Sequence, residues 1–267
     1  MTIDNKHIDV DFTVVPSEQT TGLIEESDDD ILMATGDIGS FETEYPALMV
    51  PTSKRKDLAN RNWPQQRRTV VQIYSQGRTS ACVGFGSAQA LEVTRTRRYG
   101  TKNRIALSGM SVYKEIAIGS IMSGAMISHG MRQIVKVGAL PLSNEENNEQ
   151  FDLTWGVVDW STRFPSGWEK HANSFRVSKW ATARGSDEIE SALLNGFCGI
   201  VGRSRHCVPY VGLTWSKNSP VAAYSNSWSK HWGDFGRGYD SQRTYRSLTL
   251  YVILEIVVNT NLEVPEL

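Results

Sequence analysis

The sequence predicts an α+β fold, helices first and strands after them, on three observations. Between residues 81 and 194 apolar positions recur with helical spacing and are punctuated by helix stop signals. From Phe197 onward the chain turns to short β-branched runs separated by turn residues. The first 45 residues are acidic and hold few reliable elements. That order argues for a helical subdomain packed on a β subdomain, and the contact between two such units is a favoured place for a cleft.

In chain order, residues 1–45 read as an extended arm with short apolar runs such as Phe12-Thr13-Val14-Val15 before Pro16. Residues 46–64, rich in Pro, Lys, Arg and Asn, suit a connector entering a body that spans 46–267. Residues 69–74 read as a short strand or extended segment and 76–80 as a loop. Residues 81–97 then place Val83, Phe85, Ala88, Ala90, Leu91 and Val93 as a buried helix with close-packing glycines at 84 and 86. Further helices are expected at 108–118, at 131–137 ahead of Gly138 and Pro141, and at 187–194 behind Ser186. Strands are expected at 197–201, 207–213, 221–225 and 248–258.

The chain has 267 residues, 40% hydrophobic and 21% charged, enough to bury a core. Its net charge of −1 joins two unlike parts. Residues 1–45 hold twelve carboxylates against Lys6 alone, a charge of −11, which leaves +10 on residues 46–267. Such an arm can lie on its own body, dock on a basic partner or remain solvated. No apolar stretch approaches the roughly 18 to 20 residues of a membrane span, and the start has no apolar signal region. A membrane role and ordinary secretion are therefore not expected, and the setting is the cytoplasm or an assembled particle. The basic surplus of the body is spread without a nucleic-acid module, which argues against nucleic-acid binding.

Cys82, Cys198 and Cys207 make an odd count with no C-x-x-C pair, so neither a disulfide framework nor a zinc ribbon is indicated. No metal and no other cofactor is expected. Cys82 stands at a helix N-terminus, where unpaired N–H groups and the helix dipole favour a thiolate. A catalytic thiol needs three further things: an imidazole for the proton, a group to orient that ring, and donors for an oxyanion.

Those residues carry a resemblance. Gln76-Gly77-Arg78-Thr79-Ser80-Ala81-Cys82-Val83-Gly84-Phe85 resembles the active-site segment of papain-like cysteine peptidases, above all bacterial ones. His206-Cys207-Val208 with Val211-Gly212 is similar to the family's histidine strand, and Asn226-Ser227-Trp228-Ser229-Lys230-His231-Trp232-Gly233 to its Asn-Ser-Trp-Gly motif. Gly130 to Gly138 is similar to its mid-domain helix, preceded by a glycine of the substrate cleft. The resemblance covers roughly residues 46–258. It implies a papain-like fold, a helical subdomain and a barrel-like β subdomain with a cleft between them. It also implies that Cys82 is the nucleophile, His206 its proton partner and Asn226 the orienting group. Trp228 would shield the His206–Asn226 bond, Gln76 and the Cys82 N–H would form the oxyanion hole, and Gly130 would line the cleft.

Other candidates read as structural. His129 and His231 suit surface or loop positions, Cys198 and Cys207 an apolar core, Trp232 and Gly233 packing and a turn. Ser229 stands where the family has glycine, at a place where φ > 0 is free to glycine and costly to serine. Pro209 removes a ladder donor, so its strand is expected at an edge or bulged. Arg203 and Arg205, if turned inward, would disfavour imidazolium. The arm lacks the length and the charged-aromatic helices of the family's inhibitory propeptides, so a conventional zymogen is not expected.

Two functions follow. One is a thiol hydrolase cleaving peptide or isopeptide bonds of a peptide or protein substrate. The other is a structural component of a larger assembly, such as a virus or phage particle, that keeps the fold and reaches neighbouring subunits through arm 1–45.

Overall fold

A computed structural model describes residues 8–10, 19–27, 30, 38–142, 164 and 166–257. The apolar run at residues 12–15 lies outside them. The helices are α1 (Phe41–Glu44), α2 (Thr52–Thr69), α3 (Cys82–Tyr99), α4 (Gly109–Ile116), α5 (Ile127–Lys136), α6 (Trp168–Ala172), α7 (Gly185–Leu194) and α8 (Gln242–Tyr245). The strands are β1 (Val177–Arg184), β2 (Cys198–Arg203), β3 (His206–Ser216), β4 (Ser219–Ser225), β5 (Arg237–Ser241) and β6 (Thr249–Ile256). They form one antiparallel sheet in the order β1-β6-β2-β3-β4-β5.

The fold is organised around α3, which is buried on nearly every side. A helix apolar all round belongs in the middle of a protein, and α3 lies between the helical layer and the sheet. Gly84 lets it approach α4: a Cβ there would sit 2.4 Å from the Gly109 carbonyl. Gly86 faces Cys207 and Ile200 of the sheet, so both glycines serve close packing. One apolar cluster joins α3, α4 and α5 to Ile200, Cys207, Tyr251 and Ile253. A second joins α7 to the other face of the sheet and takes in Phe41 of α1, which is fully buried.

Residues 46–64 depart from the expected connector, because α2 runs through Pro64 from Thr52 to Thr69. Its buried stripe is Arg55, Ala59, Trp63 and Gln66, helically spaced but half polar. Arg55 Nη1 meets Asp187 at 2.7 Å and Glu190 at 2.9 Å, and Gln66 Nε2 donates to the Leu193 carbonyl at 2.9 Å. Residues 70–74 form no strand, and β1 and β5 arise where no strand was expected. β3 is interior to the sheet rather than at its edge. Pro209 sits opposite Ile200 of β2, ahead of the β3–β4 ladder that begins at Tyr210, and that ladder shifts register between Tyr210 and Gly212.

Candidate active site

Three chain segments meet around Cys82. The thiol is fully buried at the first residue of α3, with Ala81 as the preceding cap. His206 opens β3 and Asn226 follows β4; both are fully buried, and His206 Nε2 lies 2.8 Å from Asn226 Oδ1. Trp228 lies over the imidazole at 4.6 Å between ring centroids, and Trp232 meets Trp228 edge-on. The backbone N–H of Cys207, next after His206, favours the Cys82 thiolate.

Gln76 is fully buried beside them. Its backbone N–H donates to the Ser227 carbonyl at 2.8 Å, the N–H of Ser229 donates to the Tyr74 carbonyl at 3.0 Å, and Ser75 bridges Trp228. This short ladder fastens the glutamine loop to the Asn-Ser-Trp loop. The Gln76 side-chain oxygen accepts from Ser227 Oγ, so its Nε2 is turned to donate. Ser229 meets the requirement raised by its sequence, with φ of 78°.

Gly130 is not brought to this cluster. It lies inside α5, where a Cβ would meet Ser87 Oγ at 2.6 Å and Val83 Cγ1 at 2.8 Å, so it packs α5 on α3. His231, within the Asn226–Gly233 segment, is exposed, and Cys198 is a buried thiol against Arg97. Among the described residues no cluster of three metal-ligating side chains forms.

The arm supplies what sequence reasoning missed. Gln76 Nε2 donates to the Thr20 carbonyl at 3.1 Å, and Trp228 Nε1 donates to the same oxygen at 3.3 Å. The N–H of Gly22 likewise favours the Cys82 thiolate. Gly22 has no room for a Cβ against Ser80, and its carbonyl accepts from Ala125 N–H at 2.9 Å. Leu23 N–H donates to the Arg205 carbonyl at 2.9 Å, and the Leu23 side chain lies over Gly202. Glu26 accepts from Ser128 N–H at 3.1 Å, near the start of α5. Residues 20–26 thus form a strap across the thiol. With only Leu23 and Ile24 apolar among seven residues, they carry no helical or strand signal in the sequence.

Burial pushes the Cys82 thiol up to about 11, against the N–H groups of Cys207, Gly22, Val83 and Cys82 itself. Burial likewise pushes His206 down to about 4; the Asn226 bond opposes this and the charge of Arg203 adds to it. Under the strap the thiol and the imidazole are therefore both neutral. Arg203 is held by buried Asp240, which also accepts from Tyr210.

The sequence matches no protein-family model and no curated protein. Solved structures do resemble the fold. Xylellain, a cysteine protease from Xylella fastidiosa, aligns over 91% of this chain and 100% of its own, with TM-score 0.62 and 17% identity. The ragweed cysteine protease Amb a 11 in its proform aligns over 72% of this chain and 65% of its own, at 0.55 and 15%. Digestive procathepsin L2 from Tenebrio molitor aligns over 72% and 67%, at 0.55 and 14%. At such identities the likeness is one of fold, and the fold is papain-like.

Proposed function

We propose that this chain, built on the fold of the papain-like cysteine proteases, is a thiol hydrolase of peptide or isopeptide bonds, held latent by its own residues 20–23. The observation that carries this reading is the occupied amide of Gln76: its Nε2, which bonds the Thr79 carbonyl at 2.8 Å, also holds the peptide carbonyl of Thr20 at 3.1 Å. In the open enzyme a substrate carbonyl takes that place. Asn226 Oδ1 accepts from His206 Nε2–H, and Nδ1 carries the lone pair that takes the thiol proton. The sulfur attacks the carbonyl carbon, and Gln76 with the Cys82 N–H stabilises the oxyanion. His206 returns the proton to the leaving amine, and water releases the acyl group.

The assembly reading has less support, since the described arm residues lie on the chain's own body.

Gly22→Val cannot seat the strap against Ser80 and should open the site. A peptidyl epoxide should then label Cys82 in preference to Cys198 and Cys207, and peptide hydrolysis should appear. Adding Gln76→Ala should lower kcat by roughly 10²-fold or more, the usual loss of one oxyanion donor. An inert Cys82 in folded Gly22→Val protein would overturn the reading.

A further inference from the structure

The arm touches the body a second time, away from the catalytic cluster. β5 ends the sheet, and its outer edge is taken by residues 8–10. Ile8 bridges Tyr239 in parallel and packs on the cluster of Trp63, Val221 and Tyr239. Asp9 N–H donates to the Tyr239 carbonyl at 2.8 Å. The Asp9 carboxylate accepts from Ser241 N–H at 2.9 Å and from Thr244 Oγ1 at 2.6 Å. The Val10 carbonyl accepts from Arg203 Nη2 at 3.0 Å, and that arginine is fixed by an ion pair with the fully buried Asp240.

We propose that the edge of β5, with Arg203, Ser241 and Thr244, is a docking site for an extended three-residue segment with an apolar residue followed by Asp, occupied here by residues 8–10, and that it keeps residues 20–23 over Cys82. Each of the three positions is read by a different interaction: an apolar surface for Ile8, two donors for the Asp9 carboxylate, and a buried guanidinium for the Val10 carbonyl. Strand addition of this kind draws affinity from the main chain and specificity from side-chain pockets.

The strap itself is held mostly through backbone bonds, to Gln76, Trp228, Arg205 and Ala125, which any extended peptide with glycine at the Gly22 position could make. Over such a competing peptide its advantage comes from being tethered. Nine peptide units separate Val10 from Gln19 and span at most about 30 Å, so docking at β5 sets a high effective concentration of the strap at the cleft.

The inference rests on the thiol-hydrolase reading only for its consequence, and the test separates the two. In the full chain, Asp9→Asn and Thr244→Val should each raise the rate of Cys82 alkylation on the order of tenfold. The double variant should add little, since both remove one contact. A labelled peptide of residues 5–13 should bind the Asp9→Asn chain by fluorescence anisotropy, and the same peptide carrying Asn at position 9 should not. If Asp9→Asn leaves alkylation unchanged while Gly22→Val raises it, or if the two peptides bind alike, the docking site is refuted. If the peptides discriminate but Cys82 is inert even in Gly22→Val, the docking site stands and the thiol-hydrolase reading fails.

Discussion

His206 and Asp240 lie in one buried network and respond to acid in opposite senses. Burial holds the imidazole at about 4, below its ordinary 6.5, so its contribution is present in full above pH 6.5 and is lost as pH falls through 4. Burial raises Asp240 to about 6 despite Arg203 and Tyr210, so its contribution is full below 3.8 and is lost as pH rises through 6. Across pH 4 to 6.5 the two offset each other. His206→Gln removes one side of that balance. The stability difference between wild type and variant should shift by about 3 kcal/mol from pH 7 to pH 4, with the wild type losing ground in acid. Urea denaturation at pH 4, 5, 6 and 7 measures it. A difference that stays flat would mean the imidazole is charged or solvated. These residues differ in how far the sequence announces them: His206 sits in a motif, whereas Asp240, in Gly238-Tyr239-Asp240, acquires its role only when β5 folds beside Arg203.

Among the elements, the ladder between residues 74–76 and 227–229 joins the loop of Gln76 to the loop of Asn226, whose Oδ1 meets His206. Ser229 holds one end of it at a φ of 78°, in the region where a side chain costs on the order of 1 kcal/mol and glycine nothing. Ser229→Gly should therefore stabilise the chain by up to about 1 kcal/mol without moving Asn226. The substitution gives up the 3.3 Å bond from the exposed His231 N–H to Ser229 Oγ. Thermal unfolding checks this, and a lower Tm would mean that the serine makes a contact worth more than its strain. The same scale explains which elements sequence patterning reaches. α3 is legible because most of its buried positions are apolar or small, and the glycines at 84 and 86 mark its close approaches. α2 is not, because Arg55 and Gln66 hold two of its four buried positions and are satisfied by Glu190 and the Leu193 carbonyl. An apolar count sees only half that stripe. β5 escapes for a related reason: in Arg-Gly-Tyr-Asp-Ser the buried aspartate is made tolerable by an arginine 37 positions earlier in the chain.

For the molecule as a whole, the division of charge between arm and body invites a picture of a negative strap drawn onto a positive surface. The contacts describe something more local. Asp9 meets a backbone N–H and a hydroxyl, Glu26 meets the N–H of Ser128, and Glu44 pairs with Lys179 at 2.6 Å. Thr20, Gly22 and Leu23, which cover the site, use no charge at all. Long-range attraction between −11 and +10 would be screened as the Debye length contracts from about 10 Å at 0.1 M salt to 3 Å at 1 M. Short hydrogen bonds and apolar burial are screened far less. Raising sodium chloride from 0.1 to 1 M should therefore change the alkylation rate of Cys82 in the full chain by no more than about twofold, against the order-of-magnitude increase expected from neutralising Asp9 alone. A large salt-driven rise in alkylation would restore the picture of general charge neutralisation. It would also make the β5 edge one contact among many.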